Sequence, residues 1–470
     1  MTATTAFTAS RVGDRLRGRV EGPWEVFGEK LSRYEIHLAG PRIELERGPI
    51  DLEGFGLRLF RPQGEAIGVG FASSTDLSDA GIDHQVASAE ETARFARFPA
   101  RRAELPSTQV AGPAPSVATT DPALWERPAE RVRAYIDALL AAFEGRHGID
   151  LSFGSVRATL TDATLTNSEG IQRHYRHTDV DVEVAVKSSD GPEGPPPGEY
   201  WVNRRTRVLS TDGVRDEVDR WAERARDVRR AKPTPTGMTA VVLPPSVLAD
   251  VLPSILGYRL SGTAQLRKMT PEAGTTIGSP LVTITDDGLL DYGLGSAPYD
   301  DEGTPQARRT LIDRGVVSTP MYDVLHASAF GQTSTGNGRR DSPVFQPWFH
   351  FDRAPTSFAT NLVVRPGTGG SEAELLETVG DGVYVDQLGY AFPDPISGAF
   401  GGELRIGYRI RGGKLAEPLR GGTIGGVVLG PVGEPSLLAG VRGLSARNER
   451  AGYLDAPAIW TDGLSVAGAD

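Results

Sequence analysis

The sequence has 470 residues, a formal net charge of −11, 39 % hydrophobic and 24 % charged residues, and no cysteine. This length suggests two or three domains, and the acidic balance argues against nonspecific nucleic-acid binding, which needs a basic face. The lack of cysteine excludes disulfides, thiolate zinc ligands and a cysteine nucleophile, and it favours a cytoplasmic location. We expect no signal peptide and no membrane span, because no apolar leader and no run of about 18 apolar residues occurs.

The first half of the chain predicts short strands and amphipathic helices. Short β-type segments bounded by Gly or Pro turns are predicted at residues 34–38, 42–45, 56–60 and 66–72. Apolar residues at helical spacing predict helices at residues 83–98, 128–143 and 212–230. The Asn/Gly turn at residues 166–170 predicts a hairpin between two longer strands, and the Pro/Gly-rich residues 188–199 predict a mobile loop.

The second half follows a Pro/Thr-rich break after Lys232 and has the pattern of a mainly antiparallel β domain. Helices are predicted from Pro244 onward and at residues 371–380, where Ser371 and Glu374 fit a capping box. The predicted fold class is therefore α+β. An N-terminal mixed α/β domain (residues 1–232) precedes a C-terminal antiparallel β domain (residues 237–470) that is barrel- or sandwich-like.

Seven segments of the second half carry a family resemblance. They are residues 295–305 (GSAPYDDEGTP), 311–316 (LIDRGV), 334–339 (STGNGR), 361–367 (NLVVRPG), 382–385 (GVYV), 395–400 (PISGAF) and 418–421 (PLRG). Together with weaker matches at residues 75–98 and 167–170, they resemble the TldD/PmbA peptidase family, once called modulators of DNA gyrase. The resemblance covers nearly the whole chain, and the DDEG and STGNGR segments are its most specific parts.

The resemblance also implies which kind of subunit this is. TldD-type subunits carry an HExxxH helix and a late cysteine, which suit a zinc ion with an open water position. When Leu260-Ser261-Gly262 is aligned with the family's Leu-Glu-Gly, the two His positions and the Glu position hold Pro253, Tyr258 and Ser254. The chain therefore resembles the TldE/PmbA-type subunit, which lacks the zinc motif.

The function implied is that of a non-catalytic subunit of a heteromeric zinc metallopeptidase. A TldD-type HExxxH partner would supply zinc and base in a heterodimer that cleaves flexible or unfolded peptides, such as modified-peptide precursors, or amides. This chain would form part of the cleft and grip an extended peptide by strand addition. No catalytic or metal-binding residue is assigned to it. The candidate substrate-binding residues are Tyr258, Arg259, His326, Asn337, Arg339, Arg340 and His350.

Two other functions stay open at the level of sequence. A self-sufficient homodimeric hydrolase would use residues outside the family motif, such as Tyr258, His326, His350, Arg339 or Asp301. A regulatory role acting on gyrase follows only from the old family name, and the acidic charge offers it no support.

Two motifs and two histidine pairs also allow structural interpretations. Asp300-Asp301-Glu302-Gly303 is typical of a turn in which Gly303 takes an unusual φ and Asp side chains bond backbone amides. Residues 334–340 could cradle an anion or form a structured turn. His174 and His177 should point to opposite faces of a strand and so make a poor metal site, whereas His326 and His350 could converge.

Overall fold

The computed structural model describes residues 8–108, 114–191, 194, 196–237, 240–341, 348–430 and 434–468. The helices in these ranges are α1 (Thr8–Leu16), α2 (Asp79–Phe95), α3 (Pro122–Glu126), α4 (Pro128–Phe143), α5 (Val214–Arg230), α6 (Pro245–Ala249), α7 (Leu252–Arg259), α8 (Gly262–Leu266), α9 (Val324–Ala329) and α10 (Glu372–Val379). None of the helices in these ranges is long and apolar enough to cross a bilayer.

The strands fall into an early and a late group. The early strands are β1 (Trp24–Ala39), β2 (Arg42–Gln63), β3 (Ala66–Ser74), β4 (Arg97–Phe98), β5 (Ile149–Asn167), β6 (Gln172–Ser188) and β7 (Gly198–Thr206). The late strands are β8 (Lys232–Pro233), β9 (Ala240–Leu243), β10 (Ile284–Asp287), β11 (Arg308–Asp313), β12 (Val316–Val317), β13 (Gly338–Arg339), β14 (Thr356–Ser357), β15 (Leu362–Val364), β16 (Gly382–Leu388), β17 (Ala399–Arg411), β18 (Lys414–Arg420), β19 (Thr423–Val427), β20 (Val441–Leu444), β21 (Glu449–Ala451), β22 (Leu454–Ala456), β23 (Ile459–Thr461) and β24 (Ser465–Ala467).

The early strands form one antiparallel sheet in the order β4-β3-β2-β1-β5-β6-β7. Side chains alternate between the two faces of a strand. On β6, Val180, Val182 and Val184 point to one face and are buried in a core cluster with residues of α4 and α5. Asp179 and Asp181 of the same strand therefore point to the opposite face, which is polar.

The elements predicted for the first half are largely confirmed, with differences at their ends. The helix predicted at residues 128–143 is α4, and the one predicted at 83–98 starts earlier, where Ser78 Oγ accepts a hydrogen bond from Gly81 N and caps α2. The helix predicted from residue 212 begins at Val214, because Gly213 before it has φ +76°. The short strands predicted at 34–38, 42–45 and 56–60 are parts of the longer β1 and β2.

The predicted hairpin is present between β5 and β6. Asn167 Oδ1 accepts hydrogen bonds from Glu169 N (3.0 Å) and Ile171 N (3.3 Å), and Gly170 has φ +85°. An Asn that bonds its own turn and a Gly with positive φ are the features that the sequence pattern requires here.

The late strands build the remaining sheets, and most of their pairs are antiparallel. A nine-stranded sheet contains the order β20-β23-β9-β16-β17-β18-β8, and a six-stranded sheet has the order β12-β11-β10-β15-β22-β21. Parallel pairs join β9 to β16, β15 to β22 and β8 to β18. One core cluster lies between these sheets and includes side chains of α6 and α7. The predicted α+β class is confirmed, whereas the division at residues 232 and 237 stays a prediction.

The helix expected from Pro244 onward is broken in two. The apolar stripe from Val247 to Leu260 is buried as expected, but α6 ends at Ala249 and α7 begins at Leu252. Pro253 lies in the first turn of α7, where a missing backbone N–H costs no helical hydrogen bond. The proline therefore starts a new helix and does not kink a continuous one.

Candidate functional site

Helix α7, where the resemblance puts the family's zinc motif, is packed into the core. Pro253 and Ser254 are buried, and Ser254 Oγ has no hydrogen-bond partner within the described residues. A Cβ added at Gly257 would lie 2.5 Å from Phe358 Cε1, so that ring lies directly against the helix. Zinc sites use imidazole, thiolate and carboxylate ligands, and proline supplies no ligand atom at all. Residues Pro253, Ser254 and Tyr258 therefore do not fit the zinc site of a TldD-type subunit.

The two candidate residues at the end of α7 are tied to neighbouring loops. Tyr258 Oη accepts a hydrogen bond from Arg267 Nη1 at 3.1 Å. Arg259 donates from Nε to Met269 O (3.0 Å) and from Nη1 to Ile396 O (3.1 Å). Both side chains thus connect the end of α7 to neighbouring loops. Their contact with a substrate stays a prediction.

The DDEG segment forms the turn that its sequence predicts. Asp300 Oδ1 accepts hydrogen bonds from Glu302 N (3.1 Å) and Thr304 N (2.8 Å), and Gly303 has φ +87°. Asp300 Oδ2 also accepts from Gly338 N at 2.9 Å, which joins the turn to the STGNGR segment. The structural interpretation of this motif is confirmed.

A buried ion network connects this turn to the early sheet. Arg58 donates from Nε to Glu25 Oε1 at 2.8 Å and from Nη2 to Glu302 Oε1, and Arg340 Nη2 donates to Glu25 Oε1 at 3.2 Å. All these side chains are at most 1 % exposed. Burial raises the pKa of Glu302 well above its ordinary value. The sequence analysis did not identify Glu25 and Arg58, because these two residues are far apart in the sequence and meet only in the folded chain.

The remaining residues of the STGNGRR segment also have protein partners. Asn337 Nδ2 donates to Asp286 Oδ2 at 2.7 Å, and Arg339 Nη1 donates to Gly295 O at 2.8 Å. Arg339 further pairs with Asp341. These contacts favour the structured turn, and a role in substrate binding for Asn337, Arg339 and Arg340 stays a prediction.

The histidines lie at separate carboxylates. His326 Nδ1 lies 2.7 Å from Asp323 Oδ2, and the His350 main-chain N donates to Glu29 Oε2 at 2.6 Å while its Nδ1 lies 3.0 Å from Glu29 Oε1. Burial alone would lower the pKa of His350, but the Glu29 carboxylate outweighs burial and raises it.

The other histidine pair is likewise split between two partners. His174 lies 2.7 Å from Asp162, and His177 lies 2.6 Å from Asp179. Within the described ranges, no group of three or more His, Asp or Glu side chains is placed to hold a metal ion.

A polar cavity of about 320 Å³ lies on the polar face of the early sheet, and we call it the charged cavity. The residues lining it are Arg33, Arg157, Thr159, Thr161, His177, Asp179, Asp181, Glu183, Asn203, Arg205, Trp348 and His350. Of the predicted site residues, only His350 belongs to this group. The alternation of polar residues with valines over residues 177–184 was the signal that could have indicated this face.

Charged side chains in the cavity and beside it alternate in sign across neighbouring strands. Glu35 of β1 pairs with Arg157 of β5, Arg157 with Asp181 of β6, and Asp181 with Arg205 of β7. Arg157 Nη2 donates to Glu183 Oε2 at 3.0 Å. Burial raises the pKa of Asp181, which shows that the surrounding arginines do not fully compensate its loss of water.

Comparison with known proteins places the chain in a family. Residues 236–468 match the family model of the PmbA/TldA metallopeptidase C-terminal domain. A metalloprotease TldD homologue from Haemophilus influenzae is 29 % identical over 246 residues, which cover 50 % of this chain and 49 % of that protein. A metalloprotease from Methanothermobacter thermautotrophicus is 27 % identical over 228 residues, or 47 % of each chain. The matched region thus spans about half the length of these curated relatives.

Solved structures show the same fold over nearly the whole chain. A Thermotoga maritima protein, solved as a candidate modulator of a DNA gyrase, has a TM-score of 0.80 at 17 % identity and covers 97 % of this chain and 99 % of its own. TldE from Thermococcus kodakarensis has a TM-score of 0.74 at 18 % identity and covers 95 % of this chain and 96 % of its own. The chain belongs to the TldD/PmbA family of metallopeptidase-like proteins.

Proposed function

We propose that this chain is the non-catalytic, TldE-like subunit of a heteromeric metallopeptidase of the TldD/PmbA family. The observation that carries the proposal is helix α7, whose buried start holds Pro253 and Ser254 where a TldD-type subunit has His and Glu. Tyr258 stands at the second His position, with its hydroxyl on Arg267, and the sequence offers no cysteine as a further ligand. In this proposal zinc and the general base belong to an HExxxH partner.

The role proposed for the chain is to complete the cleft and to grip an extended peptide or amide substrate. Strand addition needs an open strand edge. Residues 42–53 of β2 pair with β1 on one side, whereas β3 pairs with β2 only from Phe55 onward. This exposed stretch is an edge to which a peptide could add, although Pro49 lacks the N–H for one ladder position. A cytoplasmic location belongs to the same proposal and is supported by the cysteine-free composition.

The zinc content of the chain purified alone, and its complex with a TldD-type protein of the same source, test the proposal. We expect no stoichiometric zinc in the isolated chain and a stable complex in size-exclusion chromatography. The zinc content of that complex should equal the zinc content of the partner alone. The outcome that overturns the proposal is about one zinc per isolated chain together with peptide hydrolysis. That outcome favours the self-sufficient hydrolase instead.

A further inference from the structure

Several arginine nitrogens of the charged cavity form no hydrogen bond with the described residues. Within the described residues, no hydrogen bond involves either terminal nitrogen of Arg33 or Nη1 of Arg157. Nη2 of Arg205 also forms no hydrogen bond there and makes an ion pair with Asp179 Oδ1 at 3.7 Å. The ion pair of Arg33 with Glu35 joins Nε to Oε2 at 3.2 Å, and the Arg33 guanidinium lies 5.3 Å from the Trp348 ring centroid. Guanidinium N–H groups in a partly desolvated pocket are strong donors to a carboxylate.

One carboxylate of the cavity is also left without a hydrogen bond. Asp179 accepts from His177 and Glu183 from Arg157, but no hydrogen bond to Asp181 is formed by the described residues. The shortest ion-pair distance at Asp181 is 3.6 Å, to Arg205 Nε. Asp181 is therefore an acceptor available to a cationic group.

The arginines and Asp181 together determine which charges a ligand must carry. A simple anion would meet the arginines but also the carboxylates of Asp179, Asp181 and Glu183, and a simple cation would meet Arg33, Arg157 and Arg205. An apolar ligand would leave all these groups desolvated and unpaired. A ligand that carries one negative and one positive end satisfies both kinds of free group.

The spacing of the free groups sets the ligand's length. Arg33 of β1 lies opposite Asp179 of β6, with Thr159 of β5 between them, and Asp181 is two residues further along β6. The backbones of Arg33 and Asp181 are therefore about 12 Å apart at the usual strand spacing and rise. The long arginine side chain shortens this gap, and an extended dipeptide spans about 7 Å. We propose that the charged cavity binds a dipeptide, with its carboxylate on Arg33 and its ammonium on Asp181.

Calorimetric titration of the whole chain with alanyl-alanine tests this proposal. We expect binding in the micromolar to millimolar range, and binding at least about tenfold weaker for N-acetyl-alanyl-alanine and for the alanyl-alanine amide, each of which lacks one charge. Asp181→Asn should lower the affinity for alanyl-alanine by about tenfold but leave the affinity for the N-acetyl peptide unchanged. Arg33→Gln should lower the affinity for alanyl-alanine and leave the affinity for the alanyl-alanine amide unchanged.

Arg442→Gln is the matched control, because Arg442 pairs with exposed Asp462 and does not line the cavity. Its affinity for alanyl-alanine should equal that of the unaltered chain. Equal affinities for the three peptides, no binding up to about 10 mM, or acetate binding as tightly as the dipeptide would each overturn the proposal. All these titrations use the chain without a partner, so their outcome is independent of the proposed subunit role.

Discussion

Arg58 connects the early sheet to the DDEG turn through two buried ion pairs. It is 1 % exposed and bonds both Glu25 and Glu302. Removing one member of a buried ion network leaves uncompensated charge, which costs about 3–5 kcal/mol. We expect Arg58→Met to lower the free energy of unfolding in urea at pH 7 by that amount. Arg442→Gln, at an exposed pair, should change it by less than about 1 kcal/mol. A similar small loss for both variants would contradict this view of the network.

The ion pair of His350 with Glu29 makes a pH-dependent contribution to stability. Although burial opposes both charges, the pair raises the pKa of His350 above its ordinary 6.5 and lowers the pKa of Glu29 below its ordinary 4.5. The histidine contribution is complete below pH 6.5 and is lost as pH rises through the raised pKa. The glutamate contribution is complete above pH 4.5 and is lost as pH falls through the lowered pKa.

We therefore expect the melting-temperature deficit of His350→Gln to be largest between about pH 4.5 and 6.5 and to shrink toward pH 8. Melting curves across this range give the measurement. His84→Gln, at an exposed histidine of α2, is the control and should show a flat difference. A deficit that grows toward pH 8 would show that the pair is not charged as described.

Ser254 offers a direct comparison with a serine that has partners. Among the described residues Ser254 Oγ is buried and has no hydrogen-bond partner, whereas Ser261 Oγ accepts from Ala264 N at 3.2 Å and caps α8. An unsatisfied buried hydroxyl is unfavourable, so Ser254→Ala should leave the free energy of unfolding unchanged or raise it by up to about 1 kcal/mol. Ser261→Ala should lower it by about 1 kcal/mol. A larger loss for Ser254→Ala than for Ser261→Ala in urea unfolding would refute this assignment.

At the scale of elements, the DDEG turn depends on its glycine for two reasons. Gly303 has φ +87°, and an added Cβ would lie 2.4 Å from Ile171 Cδ1. The left-handed conformation costs a non-glycine residue about 1–2 kcal/mol, and the contact adds to this. We expect Gly303→Ala to lower the free energy of unfolding by about 2–4 kcal/mol in urea titrations.

Gly170→Ala isolates the conformational part of that cost. Gly170 has φ +85° in the β5–β6 hairpin, and apart from its two chain neighbours no described residue has an atom within 4 Å of an added Cβ. The loss there should be about 1–2 kcal/mol. Equal losses of unfolding free energy at Gly170 and Gly303 would mean that the contact with Ile171 adds nothing to the cost of replacing Gly303.

Elements with strong local signals could be predicted from the sequence. Helix α4, the Asn167 hairpin and the capping box of Ser371 with Glu374 all follow from residues within a few positions of one another. The ion network could not be predicted, because Arg58 and Glu302 are 244 residues apart and a strand pattern does not say what covers its second face. The sequence left open whether Pro253 kinks one helix or starts another, because proline fits both positions, and only the packing of α6 and α7 decides for a start.

At the scale of the whole molecule, the early sheet and the later part of the chain share buried polar contacts. Besides the Arg58 network, Arg207 donates to the main-chain oxygens of Gly293 and Leu294, and Glu29 accepts from the main-chain N–H of His350 and Phe351. These contacts join the early sheet, on which the charged cavity lies, to the later part of the chain. The fold of a TldD/PmbA protein is thus kept, while the residues at the zinc-motif positions offer no metal ligands of the family type.

The most direct test of this subunit role is to titrate the chain into a TldD-type protein of the same source while measuring hydrolysis of an unfolded peptide. We expect no hydrolysis by the chain alone, and a rate for the mixture that rises with added chain and levels off at one chain per catalytic subunit. A catalytic subunit whose rate does not respond to the chain, or a chain that hydrolyses the peptide by itself, would contradict the proposed role.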